Sequence, residues 1–311
     1  MADHPPLRNG LVVASHGRHC LVETADGGRV ICHPRGKKSQ SVVGDRVQWR
    51  PSQDEGTIEA VVPRRNLFYR QDEIRTKSFA ANLDLVLVLV AADPVFSTQQ
   101  LSRALIAAEE QGITPLIVLN KQDLTDAFAS ASSRLAPYRQ MGYEVMGIAL
   151  REGALDAALV ERLQGRTTLV LGPSGAGKST LVNRLVPTAQ AQTGEISQAL
   201  RSGRHTTTTT TWYWMDPGRS SALIDSPGFQ EFGLHHVSAV QLAQYMPDIR
   251  AHAGNCRFYN CTHLHEPGCS VIAAVQPDRG TGSLPAEAGI SPDRYRIYRE
   301  LFDELSQAPR Y

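Results

Sequence analysis

The segment Gly172-Pro-Ser-Gly-Ala-Gly-Lys-Ser179 constrains this chain more than any other. It follows the apolar run in "TTLVLGPS" and leads into the helical "STLVNRLV". A glycine-rich loop between a strand and a helix presents a row of backbone N–H groups at a helix N-terminus, and such a loop holds phosphate. Gly175 and Gly177 allow close approach, Lys178 directs charge toward the outer phosphates, and Ser179 offers a hydroxyl to Mg²⁺. Gly172, Pro173, Ser174, Ala176 and Thr180 complete the cradle.

The surrounding texture supplies the sheet that such a loop needs. From about Lys77, apolar runs alternate with helical stretches, and "LDLVLVLVAAD", "TPLIVLNK", "YEVMGIAL", "TTLVLGPS" and "SALIDSPG" read as strands of a parallel sheet. Between the first two, "STQQLSRALIAAEEQG" has a Ser97 or Thr98 cap signal, apolar Leu101, Leu105 and Ala108, and a closing Gly112. That pattern predicts an amphipathic crossover helix.

The second run ends in Asn120-Lys121-Gln122-Asp123. A carboxylate at that place accepts two hydrogen bonds from the N1–H and exocyclic amine of guanine, a donor pair that adenine lacks on that edge. Asn120 bridges toward the phosphate loop and Lys121 packs its stem on the base. Asp225-Ser-Pro-Gly228 closes the strand "SALI", offering an Asp to Mg²⁺ through water and a glycine N–H to the γ-phosphate. Between the two lies "GRHTTTTTT", where a switch segment presents a Thr to the metal. The threonine run leaves the choice degenerate, and Thr207 is taken for the role.

These motifs read as a Mg²⁺-dependent guanine-nucleotide site, and Asn120 and Asp123 disfavour an ATP-driven kinase or transport motor. Phe229 stands where many switch GTPases place a water-orienting Gln, and Gln230 comes one position late. Intrinsic hydrolysis is therefore expected to be slow, since positioning supplies much of phosphoryl-transfer catalysis. "GIALREG" offers Ala149 and Leu150 to back the base. The base motif precedes the phosphate loop, the reverse of the familiar order, so either one motif is accidental or the chain has been reconnected.

Residues 10 to 70 differ in kind. "GLVVAS", "HCLVETA", "RVICHP", "GDRVQWRP" and "TIEAVVP" read as short strands parted by turn signals such as "ADGG" and "RGKK", and a five-stranded oligonucleotide-binding barrel is expected. Residues 1–80 hold 13 Lys+Arg against 9 Asp+Glu, the remainder 19 against 22, so the front of the chain is the basic part. That balance fits either a solvated basic face or a phosphate-facing surface. Cys20 and Cys32 read as strand thiols; with His19 and His33 beside them, a second metal site is the alternative. At 41% hydrophobic and 20% charged residues the chain is of ordinary globular composition. Its longest apolar run, "LVLVLVAA", is far short of the roughly 20 residues of a membrane helix, and "MADHPPLRNG" has no hydrophobic signal region, so a cytoplasmic location is expected.

Near the end, Cys256-x4-Cys261-x-His263-x5-Cys269 gathers three thiolates and an imidazole. That inventory suits a closed, structural, tetrahedral Zn²⁺ site, with His265 as the rival imidazole. From Ser291, "SPDRYRIYRELFDEL" has an N-cap, Pro at the first helical position and apolar residues at Tyr295, Tyr298, Leu301, Phe302 and Leu305. It reads as a closing helix whose Arg294, Arg296 and Arg299 serve either the helix or RNA.

The order base motif, phosphate loop, switch threonine, DxPG resembles the circularly permuted GTPases. With the barrel and the cysteine cluster, the chain is similar over nearly its whole length to the ribosome small-subunit-dependent GTPase A family (RsgA, also called YjeQ). "GDRVQWRP", "AANLDLVLVL", "LIVLNKQDL", "GPSGAGKSTLVN", "GRHTTT" and "DSPGFQEFGL" carry the likeness. It implies a multidomain protein: an N-terminal OB-fold RNA-binding β-barrel over 1–75, a central α/β P-loop GTPase domain with circular permutation over 76–234, and a zinc-binding α-rich domain over 235–311. It implies GTP hydrolysis stimulated by the small (30S) ribosomal subunit in late maturation, contact with rRNA, Mg²⁺ with GTP or GDP, one structural zinc on Cys256, Cys261, His263 and Cys269, no membrane partner, and a monomer. The likeness suggests His205 for orienting water, a capping or surface role being the alternative; with Lys178 and Thr207 it makes the catalytic set. A different reading is an RNA-binding protein or chaperone whose nucleotide pocket barely turns over. Because DSPG runs directly into "FQEFGLHHV", hydrolysis is expected to reposition the C-terminal domain.

Overall fold

The computed structural model of the chain describes residues 6–16, 19–36, 41–52, 55–151, 153–189, 210–227, 229, 232–277 and 289–307. It opens with β1 (Arg8–His16), β2 (His19–Glu23), β3 (Arg29–Pro34), β4 (Arg46–Pro51) and β5 (Gly56–Val61). β1, β2 and β3 pair antiparallel, β3 pairs parallel with β5, β5 antiparallel with β4, and β4 returns to β1. The ring closes into the expected five-stranded barrel. Residues two apart on a strand, Cys20 and Val22 or Val47 and Trp49, join Val12, Cys32 and Ile58 in one core. Gly56 has to be a glycine here, because a Cβ would stand 2.6 Å from both Cys32 Sγ and Trp49 Cε3.

Cys20 and Cys32 lie opposite one another in register on β2 and β3, both buried. Burial, reinforced by Cys20 and Glu55, pushes the Cys32 thiol up to about 12. A thiol that keeps its proton this firmly is a core group and a poor metal ligand, so the strand-thiol reading holds. Much of the barrel's positive charge is neutralised locally. Arg64 bonds both oxygens of the fully buried Asp45 carboxylate at 2.7 and 2.9 Å, Arg35 and Arg50 pair with Glu59, Arg29 with Glu23 and Arg65 with Asp84.

The chain continues through the hairpin β6 (Leu67–Gln71) and β7 (Thr76–Ala81), β8 (Leu85–Ala91), α1 (Thr98–Glu110), β9 (Thr114–Asn120), α2 (Thr125–Arg134), α3 (Ala136–Gln140) and β10 (Glu144–Gly147). Next come α4 (Ala157–Leu163), β11 (Thr167–Leu171), α5 (Lys178–Leu185), β12 (Thr210–Trp214) and β13 (Ala222–Asp225). A 3-10 helix at Ala239–Tyr245 leads to α6 (Pro247–Ala253), α7 (Ser270–Ala274) and α8 (Pro292–Ser306). Among the described residues no helix is long and apolar enough to cross a membrane.

Two compact units result. The first comprises Met1–Tyr69, Ser78–Leu89 and Leu150–Phe229. In it β8, β11 and β13 are parallel neighbours, and β8 is buried at every residue, as an interior parallel strand must be. β12 runs antiparallel beside β13, and its other side pairs with β1 through Ala14↔Thr211 and Ser15↔Thr210. β1 therefore serves both the barrel and the α/β sheet.

The second unit comprises Arg70–Lys77, Val90–Ala149 and Gln230–Tyr311. Ser97 caps α1 by accepting the Gln100 amide at 3.2 Å; Leu101, Leu105 and Ala108 are buried, and Gly112 turns the chain with φ +63°. β9 and β10 pair in parallel. The tip of the β6–β7 hairpin grips the segment beyond DSPG: the Gln71 amide donates to Gly233 O at 3.1 Å, and the His235 amide to Gln71 O at 3.0 Å. A Cβ on Gly233 would stand 2.5 Å from Gln71 O, so only glycine allows that approach. Ser291 caps α8, whose buried face is Arg294, Ile297, Tyr298 and Leu301. Arg294 thus does not face solvent or RNA; it is 4% exposed and bonded to Asp248. Arg296 pairs with Asp293 and Glu300 on its own helix, while Arg299 is exposed.

Candidate functional site

The phosphate loop lies in the first unit. β11 delivers the chain to Gly172, where a Cβ would stand 2.5 Å from Leu89 O, so the loop can leave the sheet only with a glycine at this point. Gly175 (φ +80°) and Gly177 (φ +99°) take the left-handed turns that start α5. Ala176 is buried beneath the loop, Leu181, Val182 and Leu185 anchor the helix, and Ser174, Ser179 and Thr180 are exposed. The α5 N-terminus consequently presents its unpaired N–H groups at an open surface.

Lys178, the first residue of α5, forms an ion pair with Asp225, the last residue of β13. The cation expected to face phosphate and the carboxylate expected to face Mg²⁺ thus meet at the C-terminal ends of neighbouring parallel strands, where ligands of α/β sheets bind. Beside them Thr210 and Ser226 share a hydroxyl contact of 2.9 Å, and Thr211 sits opposite Asp225 in register. Phe229 is 5% exposed, a core residue with no means to orient water. His205, Thr207 and Gly228 lie outside the described residues. Arg184, which sequence reasoning missed, donates to the carbonyls of Leu150 at 2.7 Å and Gly153, fixing the loop after β10 onto α5.

The base motif lies in the second unit. β9 carries Asn120 to the end of its strand, 4% exposed, where its side-chain oxygen accepts the Lys121 amide at 2.7 Å. Lys121 takes φ +70° and its ammonium reaches the Asp93 carbonyl. The Gln122 amide donates to Ile148 O at 3.0 Å, and the Ile148 amide to Leu119 O at 2.8 Å, which ties the motif to the "GIAL" loop. Asp123 emerges exposed from this framework.

The four cysteine-cluster ligand atoms lie within 4.8 Å of one another, and His263, with φ +61°, is the imidazole among them; His265 is not. His263 Nδ1 is 3.5 Å from both Cys256 Sγ and Cys269 Sγ, which are 3.8 Å apart. Three soft sulfurs and a nitrogen at these separations can hold a metal ion. The supporting shell comes from α8: Tyr295 and Tyr298 hydroxyls donate to the carbonyls of His263 and Thr262, each at 2.8 Å. Glu266 accepts from the Thr262, Leu264 and His265 amides, and although burial pushes its carboxyl up, these bonds and the Thr262 hydroxyl hold it well below the usual range. The unit is also tied through α1, where Arg103 donates to Glu304 of α8 and, at 3.2 Å, to the Phe232 carbonyl.

In chain order the base-reading strand precedes the phosphate loop, yet each motif closes a parallel strand, and that is the mark of a circularly permuted P-loop GTPase. The RsgA GTPase family model matches residues 61–235, and the chain belongs to that family. It is 67% identical over 305 residues, 97% of this chain and 94% of the relative, to a Variovorax paradoxus (strain S110) protein named small ribosomal subunit biogenesis GTPase RsgA. A protein of the same name from Paraburkholderia xenovorans (strain LB400) is 51% identical over 308 residues, with the same coverage. Among solved structures, the chain resembles YloQ, described as a circularly permuted GTPase, with TM-score 0.69 and 26% identity, covering 100% of this chain and 99% of that one. It also resembles YjeQ from Thermotoga maritima, with TM-score 0.71 and 28% identity, covering 97% and 100%.

Proposed function

We propose that this GTPase converts GTP to GDP and phosphate during late maturation of the small (30S) ribosomal subunit, stimulated by that subunit and bound to its rRNA. The observation that carries the reading is the Lys178–Asp225 pair at the mouth of the phosphate loop. On nucleotide binding the triphosphate takes over the Lys178 charge, and the loop N–H groups from Ser174 to Thr180 hold the phosphate oxygens. Ser179 and Asp225 offer the hard oxygen donors that suit Mg²⁺, which when bound neutralises charge developing on the phosphates. Asn120, Lys121 and Asp123 select guanine. Thr207 would join Ser179 and Asp225 in holding Mg²⁺, Gly228 would meet the γ-phosphate, and His205 would orient water in place of the absent Gln.

The cluster of Cys256, Cys261, His263 and Cys269 holds one structural zinc ion in this reading. Zn–S of about 2.3 Å and Zn–N of about 2.0 Å give tetrahedral edges of about 3.8 Å between sulfurs and about 3.5 Å from sulfur to nitrogen. The separations of 3.8 and 3.5 Å support that assignment. We divide the labour among an RNA-binding barrel (1–75), the permuted GTPase (76–234) and the zinc domain (235–311), in a cytoplasmic monomer. Coupling of the switch to the zinc domain is supported by the path beyond DSPG, where Phe232 O is held by Arg103, itself bonded to Glu304 of α8.

Steady-state hydrolysis of GTP and ATP, alone, with small subunits and with large subunits, tests the reading. GTP-selective turnover that rises strongly with small subunits alone is expected. Tight GTP binding without stimulation would instead favour an RNA-binding protein with a passive nucleotide pocket.

A further inference from the structure

A second cavity, built without the phosphate loop or the base motif, lies within the first unit between the barrel and β12. Its volume is about 600 Å³, and Asn9, Glu23, Arg46, Trp212, Trp214 and Arg219 are in its lining. That size is within the range of small-ligand sites, about 300–1,000 Å³. Two of the chain's three tryptophans are in that lining. Trp212 and Trp214 line the cavity with ring centroids 5.0 Å apart at 74°. The third, Trp49, belongs to the barrel core.

The polar inventory is unusual for a cavity with a merely structural role. Trp214 donates to Glu23 Oε1 at 2.8 Å, but the indole N–H of Trp212 (5% exposed) has no acceptor among the described residues. Buried donors are nearly always paired, so an unpaired one in the cavity lining asks for an acceptor that the described residues do not supply. Glu23, 5% exposed, has Arg29 and Arg219 3.4 Å from its two oxygens, and its carboxylate retains lone pairs for further donors. Arg46 and Arg219 place positive charge in the wall. A ligand that satisfies all of these is flat and aromatic, carries ring acceptors and an N–H donor on its edge, and is joined to a phosphate.

We propose that this cavity binds a nucleotide other than the GTP substrate, its base stacked on one ring of the edge-to-face Trp212/Trp214 pair and its phosphate facing Arg46 and Arg219. The unit is either a free nucleotide or an unpaired nucleotide of RNA. Occupancy bears directly on β12, whose Thr211 pairs in register with Asp225. The cavity is thereby positioned to report its ligand to the phosphate site.

The test uses the full chain saturated with GDP and Mg²⁺, so that the guanine pocket is filled, titrated with AMP, UMP and the single-stranded RNA hexamers A6 and U6. Intrinsic tryptophan fluorescence reads the cavity, and anisotropy of end-labelled hexamers reads RNA binding. Saturable quenching is expected, weakened at least tenfold by Ala25→Phe, which fills the exposed rim, and by Arg219→Ala, with melting curves confirming that both variants fold. Quenching by AMP or UMP as well as by hexamers assigns a free-nucleotide site, and quenching by hexamers alone assigns an RNA nucleotide. No fluorescence response to any of the four, or hexamer binding that neither perturbs tryptophan nor responds to Ala25→Phe and Arg219→Ala, overturns the proposal.

Discussion

The guanidinium of Arg294 bonds both carboxylate oxygens of Asp248 at 2.8 and 3.0 Å in the interior of the second unit, with Ser102 of α1 taking a third bond at 2.6 Å. Burial works against its charge, but Asp248 outweighs that and keeps it protonated. Removing one partner of such a pair leaves the other uncompensated, and Arg294→Ala is expected to cost about 3–5 kcal/mol. Thermal unfolding should show a large drop for this variant, partial recovery in an Arg294→Met, Asp248→Leu double variant, and little change for the exposed Arg299→Ala. Equal, small effects of all three would contradict the buried-pair account.

Lys178→Ala is expected to lower GTP turnover by about 10²–10³, since it removes a cation aimed at developing charge and leaves Asp225 to repel the phosphates. Asp225→Asn should retain nucleotide binding while abolishing its dependence on Mg²⁺. Titrations with and without EDTA distinguish the two effects.

Asp123→Asn exchanges an acceptor for a donor at the exposed end of the base motif. GTP affinity is expected to fall by about 10- to 100-fold, the cost of one or two unmade bonds, while xanthine nucleotides, with a carbonyl where guanine has its amine, gain. Competition binding with GDP, XDP and ADP measures this, and an unchanged order of preference would remove Asp123 from base selection.

Cys261→Ser, or chelation at elevated temperature, is expected to release one equivalent of metal and loosen both the ligand loop and α8, because Tyr295 and Tyr298 bind that loop's carbonyls. Hydrogen exchange should rise across 256–270 and 292–306, while α5 stays protected. Exchange that rises throughout the chain would assign the metal a global role instead.

His236 supplies a pH dependence. Burial, with His235 adding to it, lowers its pKa from 6.5 to about 4. The unfolded chain therefore takes up this proton below about 6.5 while the folded one does not, so the contribution is complete above that pH and is lost as pH falls toward 4. Melting temperature measured from pH 7 to 4.5 should decline less steeply for His236→Gln than for the parent chain. Parallel declines would exclude His236 as a cause.

The barrel strands, the phosphate loop, the crossover helix and the gathering of three cysteines with a histidine were legible in the sequence because each is written in local spacing: alternation, glycine positions, caps, and cysteines a few residues apart. The β6–β7 hairpin was not, since its tip "QDEIRT" contains no glycine, proline or asparagine to signal a turn. α2 escaped as well; only Ala131 is buried along it, so it shows no apolar stripe. Arg294 read as a surface cation because its partners, Asp248 and Ser102, lie far away in the chain, and nothing local marks a buried guanidinium. The meeting of Glu23 with Trp214 and Arg219 at the cavity depends on tertiary structure in the same way.

The double service of β1 changes what it would mean to remove the barrel. β12 carries Trp212, Tyr213 and Trp214 directly after its threonines, and its pairing with β1 occupies hydrogen-bonding groups that no other described strand covers. A chain shortened to begin after residue 61 would bare Thr210 and Thr211, which β1 pairs, and so leave β12 without its β1 partner, a template for self-association. Loss of activity in such a truncation would then report aggregation or a distorted sheet as readily as lost RNA contact, and point substitutions on the barrel surface are the cleaner instrument.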